Sequence, residues 1–120
     1  MTDFDSIKPG LEAERTITIE EKHTVSHTGV PVLGTPMMVG LMEMVAKDLV
    51  EPLLPPGFTT VGYEVSIKHK APAFLGDGVR VAARVLEADG RKLRFEVRVT
   101  LGEKVIGEGT HRRTVIPLAA

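Results

Sequence analysis

The 120-residue chain predicts an α+β architecture, an antiparallel sheet laid around one long helix. Three observations predict it. Only the stretch Gly34 to Leu54 (GTPMMVGLMEMVAKDLVEPLL) carries convincing helical spacing. One run before it and four after it alternate apolar and polar residues with a period of two. The runs after the helix are separated by short turn signals, as in a meander. The length suits a single domain over residues 1–120.

Residues 1–10 read as a loose lead-in. Leu11 to Glu20 follows as a strand in which Thr16 and Thr18 alternate with Ile17 and Ile19. Glu21 to Leu33 has no period. The helix comes next, with Thr35 as the expected N-cap, Pro36 at the first helical position, and Pro52 and Pro55-Pro56-Gly57 as stops. One stripe runs through Met37, Leu41, Met44/Val45 and Asp48/Leu49, and an adjoining one through Val39, Glu43, Ala46 and Val50. The helix is therefore expected to be buried around most of its girth, with Glu43 as an acid among apolar neighbours.

Phe58 to Lys70 reads as a long strand with Val61, Tyr63, Val65, Ile67 and His69 inward and Glu64, Ser66, Lys68 and Lys70 outward. Pro72 and Gly76-Asp77-Gly78 mark a connection. Val79, Val81, Ala83 and Val85 then point inward, and Asp89-Gly90 signals a hairpin. Leu93 to Leu101 is the cleanest alternation, and Gly102-Glu103-Lys104 turns into a last strand over Val105 to Ile116. One helix on one sheet buries modest area, so a dimer that extends the sheet is expected.

The chain is 42% hydrophobic and 26% charged, with mean hydropathy +0.06 and a net charge of −1. That balance argues against general nucleic-acid binding. No apolar run approaches the roughly 20 residues that span a bilayer, and the acidic start lacks the form of a secretion signal. Cysteine is absent, which removes disulfides, thiolate metal sites and a thiol nucleophile. A soluble, cytoplasmic protein is expected.

Three residues carry candidate chemistry: Thr35 at the helix start, Glu43 along it and His69 at the end of the inward strand row. Eight positions separate Thr35 and Glu43, about 12 Å of helix rise, and helical side chains lean back toward the N-terminus. A hydroxyl, an imidazole and a carboxylate are the parts acyl transfer needs. The first-turn N–H groups of Met37 and Met38 and the positive end of the helix suit an oxygen gaining charge. Gly62 would let a ligand reach its backbone N–H. Each residue also has a plainer role: Thr35 as a cap, His69 as a core histidine, Glu43 as a partner of Lys47, Gly62 as a bulge. His23 and His27 lack the helix that metal binding at their spacing needs. His111, Arg112 and Arg113 could attract phosphate groups or form a solvated strand end; Lys68, Lys70, Arg91 and Lys92 are similar. The methionines of the helix are core filler or an adaptable acyl wall.

The run Thr35-Pro36-Met37-Met38-Val39-Gly40-Leu41-Met42-Glu43 resembles the helix start of the fluoroacetyl-CoA thioesterase family. The likeness continues through Val61-Gly62, His69 and Gly109-Thr110-His111-Arg112-Arg113-Thr114-Val115-Ile116, from about Thr24 onward. It implies the hotdog fold and hydrolysis of a small acyl-CoA by a threonine–glutamate–histidine triad at Thr35, Glu43 and His69. It also implies substrate contacts at Gly62 and Arg113, no metal or redox cofactor, and active sites at the interface of a homodimer or dimer of dimers. A non-catalytic hotdog dimer that binds acyl-CoA or another small ligand is the rival. A hydratase would need an aspartate-then-histidine pattern at the helix, which is missing. Ser26 to Gly34 (SHTGVPVLG) is shorter than the lid of fluoroacetyl-specific members and has no aromatic. That departure bears on which acyl group is accepted, not on thioester hydrolysis.

Overall fold

A computed structural model describes residues 4–119, so residues 1–3 of the expected lead-in lie outside it. The strands are β1 (Glu12–Thr18), β2 (Thr24–Val25), β3 (Val32–Leu33), β4 (Phe58–His69), β5 (Gly78–Asp89), β6 (Lys92–Leu101) and β7 (Lys104–Pro117). The helix α1 spans Thr35–Val50. Five strands form one antiparallel sheet in the order β1-β5-β6-β7-β4, and β2 pairs with β3 as a small ribbon before the helix. The β5–β6–β7 meander is the centre of the sheet. It puts Val79, Val81, Ala83, Val85, Leu93, Phe95, Val97 and Val99 beneath α1, all buried.

The helix buries one stripe rather than most of its girth. Met38, Leu41, Met42, Val45, Ala46 and Val50 are buried, whereas Met37 is exposed and Val39, Glu43 and Met44 are partly open. A single sheet covers only one side of a helix, so Met37, Gly40 and Asp48 on the far side stay exposed, while Ala46 and Val50 of the second stripe are buried. Truncating Met42 to Ala would leave a cavity and is expected to destabilise the fold by about 2–5 kcal/mol. The helix also starts one residue earlier than expected. Gly34, extended at φ −75° and ψ 142°, is the N-cap, so Thr35 and Pro36 fall inside the first turn and the Thr35 hydroxyl caps nothing.

Two further expectations change. The lead-in is tied down where it is described. Ile7 is buried, and Phe4 meets Phe58 edge-on at 5.5 Å with Arg91 over both rings. In β4 the inward row is broken. The pairing with β7 runs Gly62↔Arg113 and then Glu64↔Arg112, so Tyr63 is an extra residue in a β-bulge. Opposed residues share a face, so Thr60 and Gly62 point to the helix side before the bulge, and Val65, Ile67 and His69 after it. Val61 and Tyr63 therefore belong to the outer face, where the Lys92 Nζ lies 4.7 Å from the Tyr63 ring centroid.

Candidate active site

Thr35 and His69 meet. The strand ends at His69, opposite Gly107 of β7, and the helix begins directly above that pair. Gly107 permits the close approach, because a Cβ there would lie 2.5 Å from the sulfur of Met38. The Thr35 Oγ1, free of capping, sits 2.8 Å from the His69 Nδ1. The His69 Nε2 is buried and is the one side-chain polar atom of that kind without a hydrogen-bond partner among the described residues. Beside the pair opens a cavity of about 390 Å³, lined also by Val32, Leu33 and Ala71. The Met38 N–H is already used, donating to the Gly34 carbonyl at 2.9 Å. Of the two methionines, Met37 is the one left with an N–H free of the helix ladder. Buried Met38 contributes packing.

Glu43 belongs to a second cluster. Its carboxylate, half-exposed, faces the buried Arg113 with Oε2 3.9 Å from Nη1; Lys47 pairs instead with Glu51 at 3.6 Å. Arg113 donates from Nε to the Thr60 hydroxyl at 2.8 Å and from Nη2 to the Thr60 carbonyl at 3.0 Å. His111 stands between Arg113 and the Glu64 carbonyl, with contacts of 3.2 and 2.8 Å, and stacks on Phe95. These groups converge on Gly62. A Cβ there would lie 2.7 Å from the His111 Cε1, 3.3 Å from the Arg113 Nη1 and 3.3 Å from the Glu43 Oε2. A hollow of about 290 Å³ opens between Glu43, Gly62, Val65 and His111. Burial lowers the His111 pKa below its usual value and outweighs the opposing hydrogen bond to the Glu64 carbonyl. Burial also lowers the Arg113 guanidinium, opposed by Glu43 and Glu51, but arginine remains charged.

The candidate groups thus fall into two separate clusters. Gly62 and His69 are seven residues apart along β4, roughly 20 Å, and Glu43 stands eight residues along α1 from Thr35. His111 and Arg113 are neither a solvated strand end nor free phosphate ligands. They are 1% and 5% exposed, and only Arg112 points outward, to Glu64 at 3.1 Å. Counting back by twos from buried Val115 gives Arg113 and His111, a parity signal that was legible in the sequence. Arg91 and Lys92 lie over aromatic rings, and Lys70 pairs with Glu108 at 3.2 Å. His23 is engaged in a local turn, its Nδ1 accepting from the Glu20 N–H at 2.9 Å. Among the described residues no group of three or more His, Cys, Asp or Glu side chains could hold a metal ion. A further hollow, about 590 Å³ between β1, β5 and β6, contains none of the candidate groups.

Residues 12–119 match the sequence model of the fluoroacetyl-CoA-specific thioesterase family. The chain is 38% identical over 87 residues to the fluoroacetyl-CoA thioesterase of Streptantibioticus cattleyicolor, covering 72% of this chain. It spans 63% of the length of that relative. A solved structure of a fluoroacetyl-CoA thioesterase superposes with TM-score 0.86 at 30% identity, covering 93% of this chain and 90% of that one. A variant of that enzyme, solved with fluoroacetate and CoA, gives TM-score 0.85 at 30% identity over 93% and 97% of the two chains. A hot-dog-like protein from Thermanaerovibrio acidaminovorans shares the fold at TM-score 0.86 and 21% identity, over 94% and 86%.

Proposed function

Since the chain belongs to the fluoroacetyl-CoA-specific thioesterase family, we propose that it hydrolyses the thioester of a small acyl-CoA, in a site that two copies of the chain build together. The observation that carries the reading is the 2.8 Å contact between a hydroxyl released from capping and an imidazole at the start of the helix. Thr35 donates to the His69 Nδ1, and this tautomer puts a proton on Nε2. His69 draws a proton from the hydroxyl, or from a water in its place, and returns one to the departing CoA thiolate. Thr35 is the nucleophile or the group that positions the water. The Gly62 N–H or the first turn at Met37 receives the thioester oxygen as it gains charge. Glu43 orients the imidazole or attacks the carbonyl, and Arg113 holds the end of the cleft where Glu43 stands. The products are the free acid and CoA thiol.

The second copy follows from β4. It is an edge strand of 12 residues, and its middle is open, with Val61, Tyr63 and Val65 41–48% exposed. Such an edge recruits another strand. A two-fold axis at Ser66 keeps every pair on one face of the sheet. It sets Val65 against Ile67 of the partner subunit and Glu64 against Lys68 of the partner subunit, one apolar and one oppositely charged pair. The bulge at Gly62-Tyr63 then faces His69 of the partner subunit, so the two half-sites of different subunits come together. Shifting the axis to Val65 would set Gly62 against an outward lysine instead. The proposal includes a cytoplasmic location, where acyl-CoA thioesters are made and used; no described helix is long and apolar enough to cross a membrane.

A panel of acyl-CoAs with a thiol reagent tests the activity, with His69→Ala as the control. The wild type releases CoA from a short acyl-CoA and the variant, still folded, does not. Tight CoA binding without release from any thioester would instead identify a binding protein. Ser66→Cys tests the register in a chain that has no cysteine of its own. Oxidation should link two copies, because paired Cα atoms of an antiparallel ladder lie about 4.5–5.5 Å apart, within disulfide reach.

A further inference from the structure

We propose that His111 is a positioning residue of this site: it fixes the Arg113 guanidinium in the orientation that faces Glu43, and so sets where that carboxylate rests. The inference rests on Glu43 acting in the proposed site. His111 is 1% exposed and makes two hydrogen-bond contacts with opposite demands. The Glu64 carbonyl, 2.8 Å from Nδ1, can only accept, so Nδ1 carries the proton. The Arg113 Nη1, 3.2 Å from Nε2, can only donate, so Nε2 presents its lone pair. One neutral tautomer satisfies both neighbours, and no other state does. An imidazolium would set an N–H against the guanidinium.

The arrangement leaves Arg113 little freedom. Nε and Nη2 are held by Thr60, at 2.8 and 3.0 Å, and Nη1 is directed by His111 toward the Glu43 Oε2 at 3.9 Å. The Glu64 carbonyl lies beside the bulge that also turns Gly62 toward the helix. The imidazole edge occupies the space a side chain at position 62 would need, with Cε1 2.7 Å from that Cβ position. Imidazole, guanidinium and carboxylate thus form one braced unit on the face of Gly62.

Two variants and one spectrum test the inference. His111→Phe keeps an aromatic ring to stack on Phe95 and removes both hydrogen bonds. With the acyl-CoA turned over best in the panel, its kcat should fall about 10- to 100-fold while KM changes little, since a misplaced group damages the reacting geometry more than binding. His111→Gln, whose amide oxygen can accept from Arg113, should recover part of that loss. In the wild type, long-range ¹H–¹⁵N correlation should show His111 protonated on Nδ1 and bare on Nε2. A folded His111→Phe with wild-type kcat, or a wild-type His111 protonated on Nε2, overturns the inference. Should the phenylalanine variant not fold, the glutamine variant and the spectrum decide. Glu43→Gln separates the two readings. If it retains full activity, the site reading itself fails; if it is inactive while His111→Phe is not impaired, only the role of His111 fails.

Discussion

The two clusters of candidate groups are built in contrasting ways. At the helix start, Thr35 and His69 share one hydrogen bond, Thr35 is exposed and the His69 Nε2 has no partner among the described residues. Midway along the helix, Arg113 and His111 are buried and bonded on every side to Thr60, the Glu64 carbonyl and each other. A buried charge is tolerated only when paired and hydrogen-bonded, so the second cluster must be rigid. The first cluster keeps polar capacity unspent, as a group that must exchange protons requires. In the proposed site the first cluster exchanges the proton and the second holds its groups in place, and a single chain keeps the two apart.

The sharpest way to break the comparison is to mix subunits. Glu43→Gln and His69→Ala should each be inactive alone. Co-expressed, they should recover about a quarter of wild-type activity, because half of the dimers are mixed and each mixed dimer has one intact composite site. No recovery, from mixed dimers verified by mass, would place Glu43 and His69 of one subunit in the same site.

Gly62→Ala attacks the braced cluster. Its Cβ would overlap the His111 Cε1, and the imidazole is held at both nitrogens, by the Glu64 carbonyl and Arg113. A stability loss of about 1–3 kcal/mol is expected from overpacking, with kcat falling on the order of 100-fold from the displaced carboxylate. Thermal denaturation and steady-state kinetics on the same sample read both.

The pH dependence of stability probes the same cluster more gently. Burial holds the His111 pKa below its ordinary value of 6.5. The unfolded chain therefore takes up a proton on this residue before the native chain does. Its contribution to stability is complete above about pH 6.5 and is lost as pH falls from there toward the native pKa. His111→Phe should show a flatter decline in Tm between neutral and mildly acid pH than the wild type. An identical decline would mean that His111 titrates normally.

Lys47→Ala should have the smallest effect. Its i,i+4 pair with Glu51 is worth about 0.3–0.5 kcal/mol. Because Lys47 does not hold Glu43, activity should be unchanged; a marked loss would tie Lys47 to the Glu43 carboxylate after all.

Much of the architecture was legible in the residues. The period-two runs at Leu93 to Leu101 and Val79 to Val85, the Asp89-Gly90 turn and the proline-bounded helix all lie where their local chemistry predicts. The candidate site was legible in part. Thr35 and His69 stand out as a hydroxyl and an imidazole and do meet, whereas the burial of His111 shows only in its parity with Val115, which the charged residues around it obscure.

The sequence by itself determined the α+β class, the helix, the order of strands and the residue types available for chemistry, because propensity, period and turn signals act between near neighbours in the chain. Only the tertiary structure decided that Gly34 rather than Thr35 caps the helix, that a bulge at Tyr63 reverses the faces of β4, and that Glu43 answers to Arg113 rather than Lys47. Each of those outcomes depends on how β4, β7 and α1 register against one another across distant parts of the chain. A slip of one residue there inverts which side chains meet, and no local pattern records it.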